Sequence, residues 1–347
     1  MAERPCHATT ASRPPMDRSP PGRCEPWPSL GVGTWAWGNR LLWGYGPEQD
    51  GQLQDTFRRC LACGLTFFDT ADSYGTGRFN GRSEALLGSF CAALEPERRA
   101  ALTVATKLAP YPWRLGRRGY AAAFAASRQR LGGKLDRVQL HWSTARYAPW
   151  QEGPLLEGLA DLVERGQVAS VGVSNLGPRR LRLAHRRLAS RGVQLSSLQV
   201  QLSLLAAQPL VAGDVVEVCR ELGIELIAYS PLALGLLARR PGPMPRLPQG
   251  PRGWLWRRLW PGLQPLLQAM AEVAAVHQAT PVEVALNWCR AHGAMPIPGL
   301  RRVDHVETAA RALRWSLAAA ERQELDRVAS ATAAAGVGMP ANPLVSA

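Results

Sequence analysis

The sequence predicts a (β/α)8 barrel with long loops at the C-terminal face of its sheet. Eight short apolar runs suited to strands alternate with longer runs whose apolar residues recur at helical spacing. Strands that alternate with helices form parallel sheets, and eight such units close into a barrel rather than an open sheet. The 347 residues are enough for one such domain, which typically needs about 250. The GxGxxG turn of the alternative, a doubly wound sheet, is missing after the first strand.

The predicted elements follow in order along the chain. The strand runs are LGVGT from Leu30, LTFFDT from Leu65, LTVATK from Leu102, RVQLHW from Arg137, VASVGVSN from Val168, SLQVQLSL from Ser197, IELIAYS from Ile224 and AMPIPG from Ala294. The helical runs between them include QLQDTFRRCLACG, GRSEALLGSFCAAL, AAAFAASRQRLG, LLEGLADLVERG, PRRLRLAHRRLASRG, VVEVCRELG and PVEVALNWCRAHG, several of which stop at glycine. The segment 239–262, rich in proline and tryptophan, breaks this rhythm, and we expect a long ordered loop there.

Three regions are predicted: a disordered tail over 1–28, the barrel over 29–330 and a second tail over 331–347. The first tail is rich in Pro, Ser and Arg, shows no apolar periodicity and lacks the apolar core of a secretory signal. We therefore expect a cytoplasmic protein. The plastid stroma is the alternative if the tail is a transit peptide, although Glu3, Asp17 and Glu25 argue against one.

The composition limits the partners. No stretch approaches the roughly 18 uninterrupted apolar residues of a membrane helix. The formal charge of +14 is spread as arginine pairs over predicted helices and has no recognition motif with it, so we expect no nucleic acid partner. The seven cysteines have no paired metal-ligand spacing, and we expect no metal. The oligomeric state is left open.

The ends of the predicted strands carry most of the polar chemistry. In a barrel of this kind the active site lies at the C-terminal ends of the strands. Taken singly, each polar residue there has an ordinary explanation, such as a turn cap, a core histidine or a solvated strand end. These strand-end residues are Asp69 with Tyr74 just beyond it, Lys107, His141, Ser174, Asn175, Gln199, Tyr229, Ser230, Arg301 and Arg302.

Four of these residues have the chemical types that carbonyl reduction requires. A tyrosine is a poor acid at neutral pH unless a nearby cation stabilises its phenolate, and a buried cation needs a carboxylate partner. Tyr74, Lys107 and Asp69 are those types. A histidine on the next strand, His141, would orient and polarise a carbonyl oxygen.

Several motifs together resemble the aldo-keto reductases, from about Leu30 to Leu325. They are DTADSYG, VATK, QLHW, VGVSN, QVQLSLL, AYSPLALGLL and PIPG. Within that family, a second group of motifs resembles the pyridoxal reductases of plants and cyanobacteria. These are GTWAWGNRLLWGY, DTADSYGTGRFNGRSE, APYPWR, LHWSTARYAP, LPQGPR, WPGLQPLL and HVE.

The resemblance implies an NADPH-dependent reductase of aldehydes or ketones without a metal, with pyridoxal to pyridoxine as the best single reaction. It implies that Tyr74 is the general acid, Lys107 lowers its pKa, Asp69 holds the lysine and His141 orients the carbonyl. It also implies a cofactor site in which Arg301 meets the 2′-phosphate. The other residues implied to contact NADPH are Ser174, Asn175, Gln199, Tyr229, Ser230, Leu232, Arg302 and His305.

The chain departs from the family pattern at two places. Thr308-Ala309 replaces the Glu-Asn pair that contacts adenine in the family, and Ala238-Arg239-Arg240 replaces the usual Gly-Lys-Tyr. Trp35, Trp37 and Trp142 are expected at the mouth as flat walls for a small-molecule carbonyl substrate, with ordinary rim packing as their alternative. The alternative function is an NADPH-sensing regulatory module of the same fold, resembling the potassium-channel β subunits.

Overall fold

The computed structural model describes residues 29–77, 80–211 and 213–340. Eight parallel strands of these residues form one sheet in which each strand pairs with the next in sequence. Each predicted strand run overlaps one of them, which confirms the predicted barrel. The strands are β1 (Val32–Gly33), β2 (Phe67–Asp69), β3 (Thr103–Leu108), β4 (Arg137–Leu140), β5 (Ser170–Ser174), β6 (Leu195–Gln201), β7 (Glu225–Tyr229) and β8 (Ala294–Ile297).

Helices connect the strands and form the outer layer. The predicted helical runs are confirmed, and short helices and five 3₁₀ turns add to them within the described residues. The helices are α1 (Arg40–Trp43), α2 (Asp50–Ala62), α3 (Arg82–Ala92), α4 (Pro96–Ala100), α5 (Gly116–Arg130), α6 (Pro149–Glu164), α7 (Pro178–Ala189), α8 (Val215–Leu222), α9 (Pro251–Leu259), α10 (Gln264–Val276), α11 (Pro281–Ala291), α12 (Val303–Arg311) and α13 (Ala319–Ala334). The 3₁₀ turns are Pro47–Gln49, Gln208–Leu210, Ala233–Ala238, Pro261–Leu263 and Ala312–Arg314.

Two glycines let the first and last strands meet. The Gly31 amide donates to the Pro296 carbonyl at 3.0 Å, and the Gly33 amide donates to the Pro298 carbonyl at 3.0 Å. A Cβ at Gly31 would lie 2.7 Å from the Phe67 ring, and one at Gly33 would lie 2.7 Å from a β8 carbonyl oxygen. Glycine therefore allows the close backbone approach that closes the barrel.

The strands divide their side chains between two cores. Outward-facing residues such as Phe68 pack against the helices, whereas Phe67 packs inside the barrel with Ile227 and Ile297. Because successive strand side chains alternate between the two faces, Asp69 points the same way as Phe67, into the barrel. The apolar interior layer thus lies directly beneath the polar strand end.

The segment 239–262 is more regular than an irregular loop, because it contains α9. The predicted end of the barrel at residue 330 falls inside α13. Beyond that helix the Met339 amide donates to the Leu205 carbonyl at 2.8 Å, so the chain continues to pack on the barrel. The predicted first tail, 1–28, lies outside the described residues, as do 341–347. None of the helices that the structure describes is long and apolar enough to cross a membrane.

Candidate active site

A cavity of about 790 Å³ opens at the C-terminal ends of the strands. Its walls come from the strand ends, the loop after β1, the segment after β7 and the start of α12. All of the predicted site residues line it except Trp37 and Trp142. Those that line it are Trp35, Asp69, Tyr74, Lys107, His141, Ser174, Asn175, Gln199, Tyr229, Ser230, Leu232, Arg301, Arg302 and His305.

A buried ion pair lies at the base of the cavity. Lys107 Nζ contacts Asp69 Oδ2 directly, and both side chains are 1% exposed. The same ammonium donates to the Thr70 carbonyl at 2.8 Å. The other Asp69 oxygen accepts from Gln199 Nε2 at 2.8 Å and Gln139 Nε2 at 3.1 Å. These bonds compensate for the desolvation of both charges and fix the lysine in place. Burial lowers the pKa of Lys107, and Asp69 opposes that change.

Tyr74 lies next to this ion pair and keeps its proton. Lys107 Nζ is 5.0 Å from the centroid of its ring. Burial raises the pKa of Tyr74 well above its ordinary value, and the charges of Asp69 and Asp72 act in the same direction. The net change is therefore upward, with desolvation of the phenolate as its largest cause. The role of Lys107 in lowering this pKa stays a prediction. Tyr74 is a protonated phenol at neutral pH.

His141 faces Tyr74 from the end of β4. The two ring centroids are 5.8 Å apart with an interplanar angle of 72°. Burial lowers the pKa of His141 well below its ordinary value, and the positive charges of Lys107 and Arg114 add to that effect. The imidazole is therefore neutral at physiological pH. Its Nδ1 lies 3.3 Å from Ser73 Oγ.

A second polar group connects the ends of β5, β6 and β7. Asn175 Nδ2 donates to the His141 carbonyl at 3.1 Å and to Ser174 Oγ at 3.0 Å. Ser174 Oγ donates to the Gln199 carbonyl at 2.9 Å, and the Tyr229 hydroxyl donates to Asn175 Oδ1 at 2.9 Å. Asn175 has φ +60°, the left-handed region that is uncommon for side chains other than glycine. These bonds hold that conformation and order one wall of the cavity.

Three arginines that line the cavity have no carboxylate partner among the described residues. Among the described residues, none of the acidic side chains forms an ion pair with Arg239, Arg252 or Arg301. Burial and the charges of the other two lower the pKa of Arg252 to about 10. Its guanidinium lies 3.9 Å from the Trp43 ring centroid, and its buried Nε finds no hydrogen-bond partner in the described part of the chain. Mutually repelling cations with unused donors are suited to an anionic ligand.

Arg302 and His305 also line the cavity but differ from Arg301. Arg302 Nε and Nη2 both bond to the carboxylate of Asp304, at 2.9 and 2.8 Å. His305 is half-buried, and burial and Arg302 lower its pKa. Thr308 also lines the cavity, whereas Ala309 is buried in the outer core, so only the threonine of that pair faces the cavity.

Trp37 does not lie at the mouth. It is fully buried in the outer core, its Nε1 donates to the Leu300 carbonyl at 2.8 Å, and its ring packs edge-on against Phe90 at 5.9 Å. Trp142 is half-buried beside the cavity. Its ring centroid lies 4.9 Å from that of His141, and its Nε1 donates to the Tyr147 hydroxyl at 3.0 Å. Both side chains support the site from outside the cavity.

The cavity is also lined by residues that the sequence reasoning did not nominate, among them Trp43, Arg252 and Ser73. Trp43 packs edge-on against Trp35 with the centroids 6.1 Å apart, so these two indoles form the aromatic wall. All three residues occur in motifs already noted, GTWAWGNRLLWGY, LPQGPR and DTADSYG. The motifs therefore marked these segments, but they did not reveal which side chains face the cavity. No cluster of three metal-ligating side chains is found in the described ranges.

Comparison with known proteins gives a consistent picture. The model of the aldo/keto reductase family matches residues 29–330. The chain is 48% identical over 305 residues to a chloroplastic pyridoxal reductase of Arabidopsis thaliana, covering 86% of this chain and 82% of that protein. It is 33% identical over 310 residues to an uncharacterized oxidoreductase of Mycobacterium tuberculosis, covering 87% and 89%.

Solved structures share the fold. An aldo/keto reductase from Klebsiella pneumoniae in complex with NADP and acetate superposes with a TM-score of 0.68 at 24% identity, covering 92% of this chain and 95% of that one. A thermostable aldo-keto reductase in complex with the inhibitor epalrestat gives 0.70 at 24% identity, covering 90% and 98%. At this level of identity the likeness concerns the barrel.

Proposed function

Because the chain belongs to the aldo/keto reductase family, we propose that it reduces pyridoxal to pyridoxine with NADPH. It is an NADP-dependent oxidoreductase that acts on carbonyl groups. The observation that carries the choice of substrate is the 48% identity to the Arabidopsis pyridoxal reductase. The aromatic wall of Trp35 and Trp43 is consistent with a flat aromatic aldehyde.

The cavity residues fit NADPH. The cluster of Arg239, Arg252 and Arg301 supplies positive charge for its phosphates, and the buried Nε of Arg252 is an unused donor. We assign the 2′-phosphate to Arg301 and the pyrophosphate to Arg252, whose guanidinium bonds to the Leu234 carbonyl in the segment after β7. The nicotinamide would be held by Ser174, Asn175, Gln199 and Tyr229. Ser230, Leu232 and His305 would complete the cofactor site, with Arg302, which already pairs with Asp304, at its exposed edge.

Four side chains carry out the proposed chemistry. When bound, NADPH supplies the hydride that reduces the carbonyl carbon. Tyr74 donates its proton to the carbonyl oxygen, which requires that the phenol be protonated beforehand. Lys107 stabilises the phenolate as it develops, and Asp69 holds the lysine in place. His141, being neutral, orients and polarises the carbonyl oxygen without adding a competing acid.

The decisive experiment measures NADPH oxidation by the purified protein against a panel of aldehydes that includes pyridoxal. We expect the highest kcat/KM for pyridoxal. The matched control is Tyr74→Phe, which keeps the ring and should still bind NADPH, but should lose at least about a hundredfold in rate, since general acid catalysis contributes roughly 10²–10⁴. NADPH binding without turnover of any aldehyde would instead support the NADPH-sensing module.

The compartment is a separate part of the proposal. We propose a cytoplasmic location, with the plastid stroma as the alternative that the chloroplastic Arabidopsis relative favours. Residues 1–28 fused to a fluorescent protein in plant cells would distinguish the two. Fluorescence confined to plastids would overturn the cytoplasmic assignment.

A further inference from the structure

A neutral histidine carries one ring proton, and its location decides what the ring can do. Only the nitrogen that holds the proton can donate a hydrogen bond, and the other nitrogen is an acceptor. The hydrogen bond made by one ring nitrogen determines whether the other nitrogen carries the proton. His141 lines the cavity, and its Nδ1 is occupied by Ser73, so Nε2 is the nitrogen left to meet a carbonyl oxygen. That role requires the proton on Nε2 and an acceptor at Nδ1.

Ser73 is placed to set this tautomer. Its Oγ lies 3.3 Å from His141 Nδ1, and a serine hydroxyl can donate one hydrogen bond while accepting others. The imidazole itself has little freedom to turn away. The Trp142 ring packs against it with centroids 4.9 Å apart, and the His141 carbonyl accepts from Asn175.

We propose that Ser73 is a positioning residue that donates its hydroxyl proton to His141 Nδ1 and thereby keeps the imidazole proton on Nε2. The Nε2–H group is then available to donate to the carbonyl oxygen. The catalytic consequence rests on the proposed function, in which His141 meets that oxygen. The tautomer of His141 itself does not depend on the proposed function.

The kinetic test compares Ser73→Ala, which removes the hydroxyl, with Ser73→Thr, which keeps it. Ser73 is half-buried and lines the cavity, and threonine adds one methyl group there. We expect Ser73→Ala to lower kcat about tenfold, the effect of losing one hydrogen bond, with the Kd for NADPH unchanged. Ser73→Thr should keep most of the wild-type kcat. Ser89→Ala is the matched control, because the Ser89 hydroxyl donates to the Leu86 carbonyl within α3.

Two kinetic outcomes would overturn the proposal. One is a Ser73→Ala enzyme as fast as the wild type. The other is a Ser73→Thr enzyme as slow as Ser73→Ala, because the hydroxyl would then not be the cause.

The second test reads the tautomer directly by NMR on protein with ¹⁵N-labelled histidine, with the His141 signals identified by their loss in His141→Asn. We expect the wild type to carry the proton on Nε2 and Ser73→Ala to show a mixture of tautomers. A wild-type proton on Nδ1, or an unchanged tautomer in Ser73→Ala, would refute the positioning role. Because no turnover is needed, a protein that reduces no aldehyde but shows the expected tautomers would contradict only the proposed function.

Discussion

Replacing Arg301 with alanine should weaken the binding of NADPH but not of NADH. The Arg301 guanidinium lies 5.7 Å from the Trp43 ring centroid, and its polar contact with Gln49 is long, 3.5 Å from Nη2 to Oε1. No described carboxylate pairs with it, and burial lowers its pKa. The 2′-phosphate, which only NADPH carries, would therefore be its first strong anionic partner.

The expected magnitude follows from this environment. A hydrogen bond to a charged group contributes about 1.5–3 kcal/mol, and each 1.4 kcal/mol is about tenfold in affinity. We expect Arg301→Ala to raise the Kd for NADPH by roughly ten- to a hundredfold. Titration by quenching of tryptophan fluorescence measures it, since Trp35 and Trp43 line the cavity.

Arg302 supplies the matched control. Its side chain is 57% exposed and already pairs with Asp304 through two nitrogens. Arg302→Ala removes the same charge from the neighbouring position and should change the Kd for NADPH by less than about threefold, as expected for an exposed ion pair. Equal losses for NADH and NADPH in Arg301→Ala would refute the 2′-phosphate assignment. A larger loss in Arg302→Ala would show that the wrong arginine had been chosen.

Four further predictions follow from the same geometry. Arg252→Met should weaken the binding of NADH and of NADPH by roughly tenfold each, because both nucleotides carry a pyrophosphate; weaker binding of NADPH alone would assign this arginine to the 2′-phosphate instead. Lys107→Met should be as slow as Tyr74→Phe, and the double variant little slower, because the two act as a unit; additive losses in kcat would mean that they work independently. With saturating NADPH and a non-ionising aldehyde, kcat should stay level between about pH 6 and 9, because burial lowers the pKa of His141 well below its ordinary value and raises that of Tyr74 well above its own; a midpoint near the ordinary histidine pKa would contradict a neutral His141. Trp37→Ala should lower the free energy of unfolding by about 3–5 kcal/mol in a denaturant titration, whereas a changed KM with unchanged stability would indicate that Trp37 contacts the substrate at the mouth of the cavity.

The barrel could be predicted because its evidence is local. A strand buried on one side by the barrel interior and on the other by helices is a short apolar run, and the run ends where the chain reaches the cavity. LTFFDT shows this directly: Phe67 packs inside the barrel, Phe68 packs under the helices, and Asp69 is the first polar residue at the rim. The order of such runs is enough to specify the fold, and their last residues are enough to nominate Asp69, Lys107 and His141.

Residues in the loops could not be placed in this way. Trp35 and Trp37 are two positions apart in one motif, yet one lines the cavity and the other is buried against Phe90. Trp43, six positions further on, joins the cavity wall because Arg252 packs over its ring. Contacts between segments that are far apart in the sequence decide these directions, and the periodicity of the sequence does not reveal them.

The sequence by itself determined the strand order, the barrel and the residue types that meet at its C-terminal face, because each depends on the alternation of side chains along a single strand. Only the tertiary structure decided the electrostatics and the loop directions. The pKa of Tyr74 is raised rather than lowered because packing removes water from the phenol. Arg301 differs from Arg302 because Asp304 reaches only the second of them. Desolvation and charge pairing depend on every neighbour in space, and the chain brings those neighbours together only when it folds.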